Sequence, residues 1–301
     1  MITTNRVKLL AAAVLLLSAS GVQAASDEGE QLLKSMQAAV HSLSYDGKLV
    51  FWKGNEMSEY HIEHRSEQGN SSESVIQLNI GNDATEPQRQ QFSLVNSSSL
   101  QLPAQQVYSI DMGRDAQIAG LPCKVVVIRP KDKMRYLYRY CIHQDSGMLL
   151  KYSVMNRGQE LLEQFMFTQL TIDPAKEQLQ LAVKQAAMPN TAEATASISQ
   201  EENIVSGWDL SQLPAGFTVH QVRSIPGKDN AHQVILSDGL TFVSVFIEPG
   251  NSTSELGKKA RSSGATNILT VQVAGHAVTM VGEVPDQTLY KIKNGLRYVA
   301  P

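Results

Sequence analysis

The chain has 301 residues, 42% of them hydrophobic, with 26 Lys and Arg against 29 Asp and Glu and a formal net charge of −3. That length is enough for two domains with cores of their own. The balance excludes a basic field able to hold nucleic acid, and an acidic first half argues against an anionic partner there.

Residues 1–24 read as a signal peptide. Arg6 and Lys8 give a basic start, residues 9–17 are apolar but too short to span a bilayer, and Val22-Gln23-Ala24 places cleavage after Ala24. No cysteine follows the cut, which disfavours a lipid anchor, and no later stretch is apolar enough to cross a membrane. The expected compartment is the periplasm, which permits a disulfide. Asp27 and Glu30 then form a capping-box-like pair. Leu32, Leu33, Met36, Val40 and Leu43 follow on one face at helical spacing, so a short amphipathic helix should lie on a sheet. Residues 45–52 read as a strand ended by Gly54-Asn55, and 57–64 as its partner. Residues 66–106 are rich in Ser, Asn and Gln, with apolar islands at 75–80 and 92–95. They predict irregular or edge strands and loops. One more strand is expected at 107–111.

The organising stretch is 123–170. Two runs rich in β-branched and aromatic residues flank a turn at Pro130 and Asp132, the pattern of a β-hairpin. If the turn centres on Asp132, Cys123 faces Cys141, and these are the only cysteines. A disulfide is expected, with two free buried thiols as the alternative. Asp145-Ser146-Gly147 and Asn156-Arg157-Gly158 then punctuate two further strands at 149–155 and 161–172, which makes a four-stranded antiparallel meander.

Residues 176–204, flanked and interrupted by Pro174 and Pro189, read as a linker between a domain at 25–175 and a smaller one at 205–301. In the second domain, strands are expected at 219–224, 233–237 and 240–247. The last is apolar on both faces, so it should be central and covered on both sides. A short helix at 255–261, a hairpin across Ala274-Gly275-His276 and a final helix capped by Asp286 complete an α+β unit.

No nucleophile elbow, phosphate loop, dinucleotide fingerprint or zincin motif occurs, and nothing points to catalysis or a cofactor. His61 and His64 are three apart on a strand and so face opposite sides, which argues against a shared metal. Phe51, Trp52, Tyr136, Tyr138 and Tyr140 are the aromatic candidates for lining an apolar groove that takes an acyl chain, with plain core as the other reading.

Several stretches together resemble the RseB/MucB family of periplasmic regulators of the envelope-stress sigma factor. They are Leu161-Leu-Glu-Gln-Phe-Met-Phe167, Trp208 with Leu213-Pro-Ala-Gly-Phe217, Ser237-Asp-Gly-Leu240, and Val281-Gly-Glu-Val-Pro285 with Thr288. The likeness is loose over 27–65 and good over 115–172 and 205–297. It implies a first domain built as an antiparallel half-barrel with a packed helix, like the lipoprotein carriers LolA and LolB, and a smaller α+β second domain. Residues 66–106 are shorter and more polar than the family's equivalent, which implies a trimmed half-barrel. It further implies a non-enzymatic regulator that binds the periplasmic domain of a membrane-bound anti-sigma factor and shields it from site-1 proteolysis. Lipoprotein or lipopolysaccharide would be the releasing ligand. Trp208, Phe217, Phe242 and Phe246 are the candidates for partner contact in the second domain. A periplasmic lipid or lipoprotein carrier is the alternative, and the oligomeric state stays open, a homo-oligomer included.

Overall fold

The computed structural model describes residues 26–67, 70–78, 103–172, 204–205, 207–250 and 261–299. The expected signal peptide, the apolar island at 92–95, nearly all of the linker and all but the last residue of the short helix expected at 255–261 lie outside them, and that residue, Arg261, is in a strand. Residues 26–42 form helix α1. Its buried positions, Leu33, Met36 and Val40, with Leu43 just past its end, recur every three or four residues, the stripe read from sequence. Each such side chain stabilises by about 1.5–3 kcal/mol relative to exposure.

Nine antiparallel strands follow: β1 (Tyr45–Lys53), β2 (Glu56–Glu67), β3 (Asn70–Gln77), β4 (Tyr108–Met112), β5 (Ala116–Ile118), β6 (Leu121–Pro130), β7 (Leu137–His143), β8 (Leu149–Met155) and β9 (Leu161–Ile172). Their order across the sheet is β3-β2-β1-β9-β8-β7-β6-β4, with β5 paired to β6. The β1–β9 pairing joins the first hairpin to the end of the meander. The described strands do not close into a barrel, since β3 and β4 end the order. α1 buries its stripe in one core with Leu49, Ile62, Val126, Tyr140, Ile142 and Phe167 from this sheet.

The second unit has a six-stranded antiparallel sheet, β12-β13-β14-β17-β16-β15. Its strands are β12 (Thr218–Ser224), β13 (His232–Ser237), β14 (Phe242–Pro249), β15 (Arg261–Ser263), β16 (Thr266–Val273) and β17 (His276–Gly282). Short strands β10 (Ile204–Val205), β11 (Trp208–Asp209) and β18 (Arg297–Tyr298) form a small sheet, and α2 (Asp286–Gly295) packs Leu289 and Ile292 on the larger one. Asp286 is the first residue of α2 and not its cap, because Pro285 holds that position. Its Oδ1 still accepts the Gln287 N–H at 2.7 Å. β14 is central as expected, but among the described residues only one of its faces is fully covered. Val243, Val245 and Ile247 are buried, whereas Phe242, Ser244 and Phe246 alternate with them and stay half-buried. A run that looks apolar throughout still turns successive side chains to opposite faces. Among the described residues no helix is long and apolar enough to cross a membrane.

The expected hairpin exists with a different register. Val125 faces Cys141 and Cys123 faces His143, two residues from the pairing that centres on Asp132. The disulfide nonetheless joins Cys123 to Cys141 diagonally, with Cα atoms 5.4 Å apart. The register moves because the connection is not a tight turn. Residues 131–136 form an irregular loop held by the second unit. Thr288 Oγ1 donates to Met134 O at 2.7 Å, and the Gln287 side-chain amide donates to Lys133 O. The bridge closes a loop with a sequence separation of 18. Replacing both cysteines with serine should lower the stability of the folded chain by about 3 kcal/mol, read as a lower urea midpoint.

Candidate functional site

Two places bring side chains together in ways that local structure alone does not require. The first is an aromatic row across the helix-bearing face of the large sheet. Tyr140 on β7 faces Tyr152 on β8, Tyr152 faces Phe165 on β9, and Phe165 faces Phe51 on β1. Ring centroids lie 5.3 Å apart for Tyr140–Tyr152 and 6.1 Å for Tyr152–Phe165. Tyr138 stacks beside them, 6.4 Å from Tyr140 and 6.2 Å from Tyr152. Burial, and then the Glu283 carboxylate, push the Tyr140 phenol well above its ordinary pKa. Its buried hydroxyl has no hydrogen-bond partner among the described residues, and an unpaired buried polar group costs about 1–3 kcal/mol.

Of the five aromatic residues expected to line one groove, Phe51, Tyr138 and Tyr140 come together. Tyr136 precedes β7 and gives its hydroxyl to the second unit, accepting from Asn267 Nδ2 at 2.9 Å. Trp52 points the other way. It follows Phe51 on a strand with a two-residue period, so its ring lies on the opposite face, 46% exposed, across from Met57. Tyr152 and Phe165, which complete the row, were missed because they sit on strands distant in sequence from the Tyr136–Tyr140 run. The pairing of the strands, not their sequence, brings them together.

The second place is the seam between the two units. Arg135, in the 131–136 loop, is fully buried. Its Nε donates to Asp238 Oδ2 at 2.6 Å, Nη1 donates to Asp132, and Nη2 donates to Ala215 O. The guanidinium lies 4.9 Å from the Phe217 ring centroid and 5.6 Å from that of Tyr108. Asp238 is saturated on both sides. Its Oδ1 accepts the N–H groups of Leu240 and Thr241 at 3.1 and 2.9 Å, and its Oδ2 also accepts the Tyr108 hydroxyl at 2.9 Å. One carboxylate thus caps its own turn and ties that turn to the first unit. Leu240 beside it is buried in the first unit's core.

Farther along the seam, Glu163 on β9 accepts the Ala265 N–H at 2.9 Å and lies 3.3 Å from Lys53 Nζ. Lys53 also donates to Thr266 Oγ1 at 3.2 Å. Two glycines allow this approach. A Cβ on Gly264 (φ +59°) would stand 2.5 Å from Glu163 Oε1, and one on Gly216 (φ +84°) would stand 2.9 Å from Val107. Both combine positive φ with space for hydrogen alone.

The four candidate contact residues of the second unit divide. Trp208 and Phe217 are core residues, 1% and 5% exposed. Phe242 and Phe246 project from the outer face of the six-stranded sheet. There Ile235, Val281 and Ile268 extend the surface, and Phe242 meets the His220 ring at 5.5 Å. His61 and His64 separate as expected. His61 Nε2 is 3.0 Å from Asp46, and the buried His64 Nδ1 is 2.7 Å from Leu43 O. Among the described residues no group of three or more His, Cys, Asp or Glu could hold a metal ion.

The comparisons with known proteins agree across both units. The family described as the MucB/RseB N-terminal domain matches residues 28–96 and 82–192, and the MucB/RseB C-terminal domain matches 202–297. The sigma factor AlgU regulatory protein MucB of Pseudomonas aeruginosa is 32% identical over 202 residues, 63% of this chain and 60% of that protein. The sigma-E factor regulatory protein RseB of Haemophilus influenzae is 24% identical over 314 residues, 97% of this chain and 98% of that protein. The crystal structure of MucB in complex with MucA(peri) is similar in fold, with a TM-score of 0.64 and 25% identity. That match covers 91% of this chain and all of the solved one.

Asp238→Asn tests the seam. The asparagine keeps an oxygen for the turn amides but sets an NH2 against Arg135 and Tyr108. Removing the one fully buried carboxylate beside Arg135, which leaves only the part-exposed Asp132 to balance its charge, should destabilise the chain by about 3 kcal/mol. Calorimetry should then show separated transitions for the two units.

Proposed function

This chain belongs to the MucB/RseB family, and we propose that it binds the periplasmic domain of a membrane-bound anti-sigma factor and shields it from site-1 proteolysis. The chain works in the periplasm, and it works by binding, without catalysis. The observation that carries the reading is the match of both halves of the chain, in order, to a family that includes a structure of MucB with MucA(peri). We read residues 25–175 and 205–301 as its two domains and 176–204 as their connection, with residues 1–24 as the export signal.

The outer face of the six-stranded sheet is the partner surface we favour. It leaves Phe242 and Phe246 half-buried on either side of Ser244, whose cross-strand neighbours are Ile235 and Val281. A face that sets these apolar side chains among Ser244, Gln233 and Thr279 supports docking of another chain. Trp208 and Phe217 support the surface from inside and do not reach it. The large sheet is read as a half-barrel of the lipoprotein-carrier kind, with the aromatic row as its ligand-facing strip. Five rings and an unpaired buried hydroxyl suit a ligand that joins an acyl chain to a hydrogen-bonding head, such as a lipoprotein or lipopolysaccharide. Such a ligand would bind where Glu283 of the second domain reaches the same tyrosines, which gives it leverage on the seam.

Calorimetric titration of the chain with the purified periplasmic domain of the cell's own anti-sigma factor should give saturable, near-stoichiometric binding. Phe242→Ser combined with Phe246→Ser should weaken it at least about tenfold, as loss of a central apolar anchor does, with the melting temperature little changed. No binding by the unaltered chain at tens of micromolar would overturn the regulator reading in favour of a lipid or lipoprotein carrier.

A further inference from the structure

The face of the large sheet that turns away from α1 carries a cluster that neither the seam nor the aromatic row uses. Arg139 on β7 faces Ser153 on β8, and Ser153 faces Gln164 on β9. Lys151 stands two residues before Ser153, so the alternation of a strand puts it on the same side. Arg139 is exposed and Lys151 half-buried. The buried Ser153 hydroxyl donates to Gln164 Oε1 at 3.2 Å, which leaves the Gln164 NH2 as a further donor.

The carboxylates that would balance the two cations lie elsewhere. In the Arg139 row the first acid is Asp111 on β4, beyond Val127, and Arg129 Nε already donates to it at 2.9 Å. In the Lys151 row Met166 and Val50 come first, and Glu59 follows on β2, three strands away. At the usual strand spacing that is about 14 Å. Glu163, next to Gln164, turns to the opposite face and is engaged in the seam. Among the described residues neither the Arg139 nor the Lys151 side chain makes a hydrogen bond or an ion pair. Burial, and then the Arg139 guanidinium, hold the Lys151 ammonium below its ordinary pKa. Like charges this close work against the sheet, so folding alone does not account for them.

We propose that Arg139, Lys151 and Gln164 form a docking site for an extended acidic segment of a partner protein, with carboxylates at alternate positions. Diagonal neighbours on adjacent strands stand about 7–8 Å apart. In an extended chain, side chains recur on one face every second residue, about 6.8 Å along. Acids at alternate positions therefore meet Arg139 and Lys151 one each, with the Gln164 amide as a third donor. A lone phosphate would have to draw both cations to one point. The same face offers apolar ground beside the cations. Met166 faces Lys151, and Trp52, 46% exposed, faces Gln164, with Met57, 60% exposed, beyond it. The segment that fits thus carries apolar residues next to its acids. The site belongs to the first domain and stands apart from the Phe242–Phe246 face and from the regulator reading.

The test is a titration of the full mature chain with a blocked peptide, Val-Glu-Thr-Glu-Val, and with its Val-Gln-Thr-Gln-Val counterpart. The Arg139 Nε–Hε and Gln164 side-chain amide signals are followed by NMR. The acidic peptide should move both signals saturably, less so in high salt, and the amide peptide should leave them in place. Lys151→Met should raise the dissociation constant about fivefold. It should leave the melting temperature unchanged or higher, because a repelling charge is gone, whereas loss of a merely structural lysine would lower it. Inorganic phosphate and phosphatidylglycerol vesicles are the competing arms. Saturation by either at a lower concentration than by the acidic peptide would overturn the proposal in favour of a phosphate site. So would unmoved signals with the acidic peptide, equal shifts with both peptides, or a Lys151→Met chain that melts lower and binds as before.

Discussion

Arg135 and Asp238 decide how this molecule is put together. An ion pair with both side chains fully buried is worth little against a hydrophobic substitute, but breaking one half leaves a charge without water. Every neighbour works to satisfy it. Asp132 and the Ala215 carbonyl take the remaining guanidinium donors, Tyr108 and two turn amides saturate the carboxylate, and the Phe217 and Tyr108 rings face the cation. Arg135 comes from a loop of the first domain and Asp238 from a turn of the second. The pair therefore specifies one relative placement of the domains and penalises others.

The stretches that carry the family resemblance converge on the same place. Leu213-Pro-Ala-Gly-Phe217 supplies the Ala215 carbonyl and the Phe217 ring. Ser237-Asp-Gly-Leu240 supplies Asp238 and a leucine buried in the first domain. Leu161–Phe167 supplies Glu163, and the segment from Val281 to Thr288 supplies Glu283 and the hydroxyl that holds the 131–136 loop. Read singly, these motifs look like turns and strand ends. Together they form a single contact between domains, and the same contact adjoins the aromatic row through Glu283.

Local patterns carried much of the fold. The α1 stripe, the β1–β2 hairpin, the β6–β9 meander and the central place of β14 are visible because hydrophobic period and turn residues are local properties. The hairpin register was not legible, because the loop that sets it is shaped by Gln287 and Thr288, 154 residues away. The covered side of β14 was not legible either, since alternation disappears when outward positions are also apolar. The seam residues left a trace but no assignment. Asp238 reads as a turn acid and Arg135 as part of the second strand of the expected hairpin, and only pairing over a separation of 103 residues turns them into a site.

That separation bears on the order in which the molecule is assembled. Synthesis runs from the N-terminus, so the first domain exists for a time with its 131–136 loop lacking the contacts that shape it. Arg135 must then stay hydrated, and Tyr108 must wait for an acceptor 130 residues downstream. The large sheet can form early around α1, and the β6–β7 disulfide can lock its neighbour strands. Docking is a contact of high sequence separation and belongs to the last stage of folding. Until then Tyr136 and Tyr108, whose hydroxyls meet Asn267 and Asp238, lack the partners that the second domain brings.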